Sequence, residues 1–215
     1  AEAGVERIEL CQELQVGGIT PSAGLIKQVV DKLDIAVCVL IRPRAGNFVY
    51  SDEEFEIMKN DIQLCRELGC DGVVSGVLLP DGNLDVERTR ALVEQAGPLT
   101  FVFHRAFDVA TNPTTAFSQL IDMGVDRILS SGGKSSALEG LDNLRNWQKE
   151  AGNSLSFMPG GGINANNISL FREAGFTQIH TSASTAIPAE EGIFGSPLSY
   201  SDPEKIRNII AALQA

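Results

Sequence analysis

The chain has 215 residues, of which 43% are hydrophobic and 21% are charged, and a formal net charge of −11. This composition is typical of one soluble globular domain with a large core. The acidity disfavours nucleic acid and anionic membranes as partners, because both attract clustered Lys and Arg. No apolar run approaches the roughly 20 residues of a membrane-spanning helix. We therefore predict a single domain over residues 1–215 that binds neither nucleic acid nor a membrane.

A short unit of one glycine, a polar stretch and an apolar strand occurs four times along the chain. The copies begin at Gly4, Gly69, Gly124 and Gly175. Each glycine is predicted to follow the end of a helix, at a position where the backbone takes a positive φ that glycine adopts at little cost.

Strands and helices alternate around these units. The apolar runs predict strands over 7–11, 35–42, 72–77, 99–105, 127–131, 154–158 and 177–182. Helical patterns begin after Ser51 and near Pro113, and others cover 85–95, 138–151, 167–174 and 203–213. Strict alternation, with strands that are apolar on both faces, indicates a parallel sheet.

A doubly wound open sheet and a closed (β/α)8 barrel both fit this alternation. Each repeat contains two strands, so four repeats make eight, and the first copy lacks its leading strand. A barrel without that strand would leave two unpaired edges, which are costly to expose. We predict an α/β fold of the TIM (β/α)8 barrel type, whose first strand is absent from this chain or supplied in another way.

Polar residues stand at the predicted strand ends, where barrel enzymes have their active sites. The two-residue period of a strand places Glu9 on the same side as Cys11, and His180 on the same side as Gln178 and Ser182. We expect both sides to face inward. Imidazole can serve as acid, base or ligand. Glu9, His104 and His180 are therefore candidate catalytic residues, and a structural hydrogen-bonding role is the alternative for the two histidines.

A glycine-rich loop over 159–163 follows a predicted strand and leads into a helix. Bare glycines let backbone N–H groups close around an anion, and loops after the last strands are the common phosphate site of this fold. The candidate anion-binding residues are Arg42, Arg44, Arg105, Ser131, Gly132, Gly160, Gly161, Gly162 and Ser182. The alternatives are a tight turn without a ligand and, for the arginines, pairing with Glu9 and Asp108.

The four cysteines, at positions 11, 38, 65 and 70, include no C-x-x-C pair. This pattern predicts free thiols in a reducing compartment. Thiolates are soft ligands that suit Cu(I), and Cys11 is the only cysteine at a predicted strand end of the site. Cys38 is better explained as a small core residue. Cys11 is therefore the candidate metal ligand.

Several strings resemble the CutC family of copper homeostasis proteins, in order across nearly the whole chain. They lie at 7–11, 17–22, 41–44, 48–52, 103–108, 131–132 and 159–163. The chain is most similar to the animal members, partly through 135–141. The resemblance implies a TIM-barrel protein of the cytoplasm, or also the nucleus, that forms a homo-oligomer, as a dimer or tetramer, and binds Cu(I).

The copper site proposed for that family uses two cysteines, and Cys11 matches the second of them. The first lies on the strand predicted to be absent, and Thr181 stands where animal members can have a further cysteine. The resemblance thus implies Cu(I) as the cofactor. The residues themselves favour an enzyme of unknown reaction that acts on a small anionic substrate, a phosphate or carboxylate. A third reading is a braced scaffold that binds a protein, with the apolar segment 186–200 as the local sign of a contact surface.

Overall fold

The computed structural model describes residues 2–188 and 198–214. Its centre is a curled sheet of six parallel strands that pair in chain order. The strands are β1 (Arg7–Leu10), β2 (Ala36–Leu40), β3 (Gly72–Ser75), β4 (Thr100–Phe103), β5 (Arg127–Ser130) and β6 (Ser156–Pro159). The α/β class and the barrel-like curl of a parallel sheet are confirmed.

Helices lie between the strands and pack on the outside of the sheet. They are α1 (Ala23–Lys32), α2 (Asp52–Glu67), α3 (Val86–Ala96), α4 (Pro113–Asp122), α5 (Leu141–Ala151), α6 (Ile168–Glu173) and α7 (Pro203–Gln214). Two 3-10 turns cover Leu14–Val16 and Arg105–Val109. Helix α1 was not among the predicted helices, although its apolar residues recur at helical spacing and Ser22 caps its first turn. In the described part of the chain, no helix is both long and apolar enough to cross a membrane.

The glycines of the repeat adopt the predicted conformation. Gly69, Gly124 and Gly175 each follow the C-cap residue of a helix, at the ends of α2, α4 and α6, with φ values of 76°, 77° and 89°. Gly4 has a φ of 89°. In three of its four copies the repeat is therefore a helix end that turns the chain back into the sheet.

The predicted strand over 177–182 is wrong. The segment contacts the sheet through one parallel bridge between Gly160 and His180, where the N–H of His180 donates to the carbonyl oxygen of Pro159 at 2.8 Å. The ladder stops there because β6 runs directly into the glycine turn, in which Gly161 has a φ of 108°. Among the described strands β1 pairs with β2 alone, so the sheet is open between β1 and the His180 segment.

A small antiparallel sheet stands where the sequence suggested only an apolar loop. It consists of β7 (Ser184–Ile187) and β8 (Leu198–Ser201), and it joins no strand of the large sheet. Ile187, Leu198 and Tyr200 on this pair are largely exposed. The rest of the predicted contact segment, 189–197, lies outside the described residues.

Two apolar clusters hold the barrel together. The larger one lies between the sheet and its helices and includes the fully buried rings of Phe101, Phe117 and Phe157. The smaller one fills the inside of the curl. It comprises Cys38, Leu40, Val74, Val102, Leu129 and Met158. Because side chains alternate between the two faces of a strand, the next inward positions toward the carboxyl ends carry the polar residues of the site. We call this end of the barrel the mouth.

Candidate functional site

A cleft of about 1860 Å³ opens at the mouth and continues into the gap between β1 and the His180 segment. Most of the predicted site residues line it. They are Glu9, Cys11, Arg42, His104, Arg105, Gly161, Gly162, His180 and Ser182. Arg44, Ser131, Gly132 and Gly160 are not among the lining residues. The structure therefore brings the three candidate catalytic side chains together with one end of the glycine loop.

Glu9 and His180 form a pair across the opening of the sheet. The Nδ1 atom of His180 lies 3.2 Å from Oε2 of Glu9, whose side chain is 10% exposed. Burial raises the pKa of Glu9, but His180, Arg7 and His104 together outweigh burial, so this pKa lies below its usual value. Glu9 is thus a carboxylate held in a dry place, and its second oxygen, Oε1, has no partner among the described residues.

His104 begins the 3-10 turn after β4 and is buried at 5% exposure. Its Nδ1 accepts the N–H of Ala106 at 3.2 Å. Burial and the nearby Arg42 lower the pKa of His104 to about 4. At neutral pH the imidazole is therefore uncharged, and its single proton lies on Nε2. That atom is buried and finds no acceptor in the described part of the chain.

The site for this ring depends on a glycine. A Cβ at position 76 would lie 2.7 Å from Nδ1 of His104, closer than carbon and nitrogen normally approach. The ring of Phe48 covers His104 from another side, with the ring centroids 4.8 Å apart. Packing therefore fixes the direction of the Nε2–H bond.

Among the described residues, four buried polar atoms of the cleft have no hydrogen-bond partner. They are Glu9 Oε1, Arg42 Nε, His104 Nε2 and Gln178 Oε1. Leaving one such atom unpaired costs about 1–3 kcal/mol, so native proteins seldom collect several in one place. Gln178 was not predicted as a site residue, although the two-residue spacing from His180 already put it on the same side of the chain.

Arg42 fastens two loops at the rim of the cleft. Its Nη1 donates to the carbonyl oxygens of Val16 and Gly18, and its Nη2 to that of Gly46, each at 2.8 Å. The guanidinium also lies over the ring of Phe48, 5.2 Å from its centroid. Arg42 is braced by backbone carbonyls rather than by Glu9 or Asp108. Arg44 is turned away, with its Nε 2.6 Å from Oε1 of Glu54.

The loop after β5 is filled by a carboxylate of the chain itself. Asp108 accepts hydrogen bonds from Ser130 Oγ at 2.6 Å, from the N–H groups of Ser131 and Gly133 at 2.9 and 3.1 Å, and from Arg105 Nε at 2.7 Å. The N–H of Gly132 donates to Ser130 Oγ. Anion binding by Ser131 and Gly132 stays a prediction. In this structure their N–H groups already donate hydrogen bonds, to Asp108 and to Ser130 Oγ respectively.

At Gly161 and Gly162, the end of the glycine loop, no carboxylate of the described residues accepts the backbone N–H groups. The N–H of Gly160 donates to the carbonyl oxygen of Ser130 at 2.9 Å, but those of Gly161 and Gly162 reach no acceptor among the described residues. The Nη1 atom of Arg105 lies 3.5 Å from the place of a Cβ on Gly161. It too makes no hydrogen bond within the described part of the chain, whereas Nε and Nη2 bind Asp108 and Ser131. Two amides and one guanidinium edge thus remain for an anion. Ser182, at the rim, lies 3.3 Å from Ser184, oxygen to oxygen.

Cys11 lies between the inner apolar cluster and the loop that follows β1. It packs against the cluster that contains Cys38 and Met158. A Cβ on Gly18 would lie 3.3 Å from its Sγ, so this loop partly covers the thiol. Burial and the charge of Glu9 raise the pKa of Cys11. Among the described residues, no group of three or more His, Cys, Asp and Glu could hold a metal ion. All four cysteines are free thiols, as predicted.

The buried His104 predicts a dependence of stability on pH. Its pKa falls from 6.5 to about 4 on folding, so between these values the unfolded chain binds more protons than the folded one. Stability is therefore full above pH 6.5 and is lost as the pH falls toward 4. Between pH 7 and 5 we expect His104 to contribute a loss of about 2 kcal/mol in the free energy of unfolding.

Urea denaturation at both pH values measures this loss. In His104→Gln the difference between pH 7 and 5 should shrink by about that amount. His180→Gln is the matched control, because it removes the other histidine of the chain and leaves the part of the pH dependence that comes from His104 in place. An equal pH dependence in His104→Gln and the unmodified protein would contradict the assignment.

Comparisons with known proteins agree with the fold and identify a family. The CutC family model matches residues 1–185. A CutC family protein of Xanthomonas campestris pv. campestris is 39% identical over 221 residues, which cover 99% of this chain and 92% of the relative. One of Chromobacterium violaceum is 46% identical over 183 residues, covering 85% and 74% of the two chains. A crystal structure of CutC from Streptococcus agalactiae, described as a copper homeostasis protein, has 38% identity and a TM-score of 0.78, covering 83% and 89%. The greater likeness to animal members stays a prediction.

Proposed function

This chain belongs to the CutC family, and we propose that its mouth binds a small anionic compound and moves protons on it. The observation that carries the proposal is the group of four buried, unpartnered polar atoms in one cleft. A polar ligand that paired with them would remove a cost of about 1–3 kcal/mol for each atom. The copper role given to a family member leaves these four atoms unexplained.

The site divides into two parts. The free amides of Gly161 and Gly162 and the edge of Arg105 offer hydrogen bonds to a phosphate or carboxylate. Glu9, His104 and His180 stand in the same cleft, where a carboxylate and imidazoles can transfer protons. An anion held by the loop would place the rest of the compound among these three side chains.

Thermal unfolding with inorganic phosphate tests the anion site. At equal ionic strength, we expect phosphate to raise the Tm of the unmodified protein and of Arg44→Gln more than chloride does. Arg105→Gln should lose this difference, because it removes the free guanidinium edge. Arg44→Gln is the matched control, since Arg44 pairs with Glu54 outside the cleft. Equal effects of phosphate and chloride on the unmodified protein would refute an anion site.

A second candidate function is Cu(I) binding through Cys11, with copper as the cofactor or cargo. One observation supports it: Cys11 packs against a cluster that holds the sulfur atoms of Cys38 and Met158. Thiolate and thioether sulfur are the ligands that Cu(I) prefers. The free thiols also suit a reducing compartment, and we propose the cytoplasm as the location.

Titration with Cu(I) in the presence of a competing chelator tests this candidate. Cys11→Ser should lose the tight site, whereas Cys70→Ser, which changes a cysteine at the opposite end of the barrel, should keep it. Unchanged stoichiometry and affinity in Cys11→Ser would exclude Cys11 as a ligand.

We propose in addition that the protein forms a homo-oligomer, as a dimer or tetramer. The exposed side chains of Ile187, Leu198 and Tyr200 on the β7–β8 pair support it, because exposed apolar groups favour association. Sedimentation velocity of the unmodified protein and of Leu198→Ser measures the assembly.

A further inference from the structure

We infer that the compound bound at the mouth is a phosphorylated hydroxycarbonyl compound, and that the mouth removes the proton from the carbon beside its carbonyl group. This inference rests on the proposed function, because it assigns the anion to the glycine loop. It adds the chemistry of the rest of the ligand and a class of reaction.

The unpartnered atoms define what the ligand must present. Glu9 Oε1 and Gln178 Oε1 are acceptors, and Arg42 Nε and His104 Nε2 are donors. A ligand that satisfies both kinds needs groups that donate as well as groups that accept. Hydroxyl groups do both, and a carbonyl oxygen accepts only. A fully ionised carboxylate or phosphate group without hydroxyl groups would leave the two acceptors unpaired.

His104 is suited to polarise a carbonyl rather than to take up a proton. Its Nδ1 is occupied by the N–H of Ala106, and the proton of the neutral ring lies on the buried Nε2. The depressed pKa keeps the ring neutral through the physiological range. A fixed N–H donor at a buried position stabilises negative charge that develops on an oxygen. A neutral imidazole plays this part in other enzymes that form enolates.

Glu9 is suited to act as the base. Its Oε2 is held by His180, and its Oε1 is buried, ionised and without a partner among the described residues. His180 therefore serves as a positioning residue that leaves one carboxylate oxygen available. Gln178, two residues before His180, supplies an acceptor that can bind a neighbouring hydroxyl group and so orient the substrate.

The step balances without any further reactant. The C–H bond beside the carbonyl breaks, and its proton forms an O–H bond with Oε1 of Glu9. The electron pair of that C–H bond forms the new C=C bond, and the π pair of the carbonyl moves to its oxygen. The enolate oxygen accepts the hydrogen bond of His104 Nε2–H. If the carboxyl group of Glu9 first exchanges its proton with solvent, return of a solvent-derived proton to the same carbon is a hydrogen exchange. Protonation of the neighbouring carbon, together with transfer of the enediolate hydroxyl proton to the former carbonyl oxygen, is an isomerisation.

The phosphate is assigned from the other end of the cleft. Arg105 donates hydrogen bonds from Nε to Asp108 and from Nη2 to Ser131, so its guanidinium is held in place and Nη1 is available for a ligand. A group with several equivalent oxygens can accept from Nη1 and from the amides of Gly161 and Gly162 at once.

Exchange of carbon-bound hydrogen in D2O, followed by NMR, tests the inference. The probes are ketose and aldose phosphates of three to six carbons, their unphosphorylated sugars, and glycerol 3-phosphate as a ligand without a carbonyl. We expect protein-dependent exchange beside the carbonyl of at least one sugar phosphate. It should fall at least 100-fold in Glu9→Gln and about 100-fold in His104→Gln. Arg44→Gln should stay within about two-fold, since Arg44 is outside the cleft. Glu9→Asp, which keeps the charge, serves if Glu9→Gln does not fold.

The outcomes separate the two levels of the argument. Binding of phosphate or glycerol 3-phosphate without exchange in any sugar phosphate overturns the inference and leaves the proposed function standing. Absence of binding by phosphate and by every phosphorylated probe overturns both. Equal exchange in sugars with and without phosphate would refute the requirement for a phosphate group. Undiminished exchange in Glu9→Gln would refute Glu9 as the base.

Discussion

Replacing Gly132 with alanine is expected to lower the free energy of unfolding by about 3 kcal/mol, from a left-handed backbone and a steric overlap together. Gly132 has a φ of 74°, and a Cβ there would come within 2.7 Å of Cα of Gly140 and closer still to its carbonyl oxygen. The obstacle is backbone, which cannot rotate away as a side chain can. Relief therefore requires the two ends of the 131–140 loop to separate.

The consequence of that separation should reach the mouth. The carbonyl oxygen of Gly132 accepts from Asn143, and the N–H of Ala137 in the same loop donates to the carbonyl oxygen of Gly161 at 2.9 Å. Moving the loop would pull on the glycine turn that carries the free amides. We expect Gly132→Ala to weaken phosphate binding as well as stability.

Two other glycines separate the causes in urea denaturation. Gly175 has a φ of 89° with nothing within 4 Å of its Cβ position, so Gly175→Ala should cost only the backbone strain, about 1–2 kcal/mol. Gly24 in α1 has ordinary φ and open space, so Gly24→Ala should be neutral or stabilising by up to about 1 kcal/mol. A loss in Gly132→Ala no larger than in Gly175→Ala would show that the loop absorbs the added carbon.

The fold could be predicted from the sequence to the extent that local rules govern it. The glycines after α2, α4 and α6 follow a rule about single helix ends, and the structure confirms them. Six predicted strands exist for the same reason, since their apolar runs are continuous. Three of them, β2, β3 and β4, end about two residues earlier than predicted. At β2 the N–H of Arg42 turns to Thr20 Oγ1, and at β4 His104 already begins a turn.

The strand predictions failed where a strand depends on pairing with another segment of the chain. The 177–182 segment has the composition of a strand, but the turn at Gly161 removes the partner that a ladder needs. The β7–β8 pair exists only because two segments ten or more residues apart meet, with Thr185 opposite Tyr200. No periodicity within either segment reveals that pairing.

In the candidate site, too, the features that follow from local rules were predicted, and those that depend on other elements were not. The rule that polar strand ends meet at the mouth brought Glu9, His104 and His180 into one cleft. The partners of the arginines could not be foreseen, because they come from other elements: Arg44 finds Glu54 in α2, and Arg42 finds carbonyl groups of two loops. There was likewise no sign in the sequence that the carboxylate of Asp108, from the preceding 3-10 turn, accepts hydrogen bonds from the loop that contains Ser131.

The second large loss of stability is expected on removal of the Asp108 carboxylate. Asp108→Ala is expected to lower the free energy of unfolding by about 3 kcal/mol, because several hydrogen-bond donors around this buried carboxylate lose their acceptor. The Asp108 side chain is 6% exposed, and its loss would strand the hydroxyl of Ser130, the N–H groups of Ser131 and Gly133, and Arg105. Asp122→Ala, an exposed position at the end of α4, is the control and should change stability by less than about 0.5 kcal/mol.

A small anion should replace part of what Asp108 supplied. The truncated side chain leaves room beside four donors, so formate is expected to restore some of the lost stability of Asp108→Ala in urea denaturation, when compared with chloride at equal ionic strength. It should do little for the unmodified protein, in which the carboxylate already takes these hydrogen bonds. Formate that stabilises both proteins equally would mean that its effect arises at the glycine loop or on the general surface. Selective rescue would show that the donors of the 131–133 loop recognise anions and that Asp108 is the anion they hold, which leaves the amides of Gly161 and Gly162 as the place for a ligand.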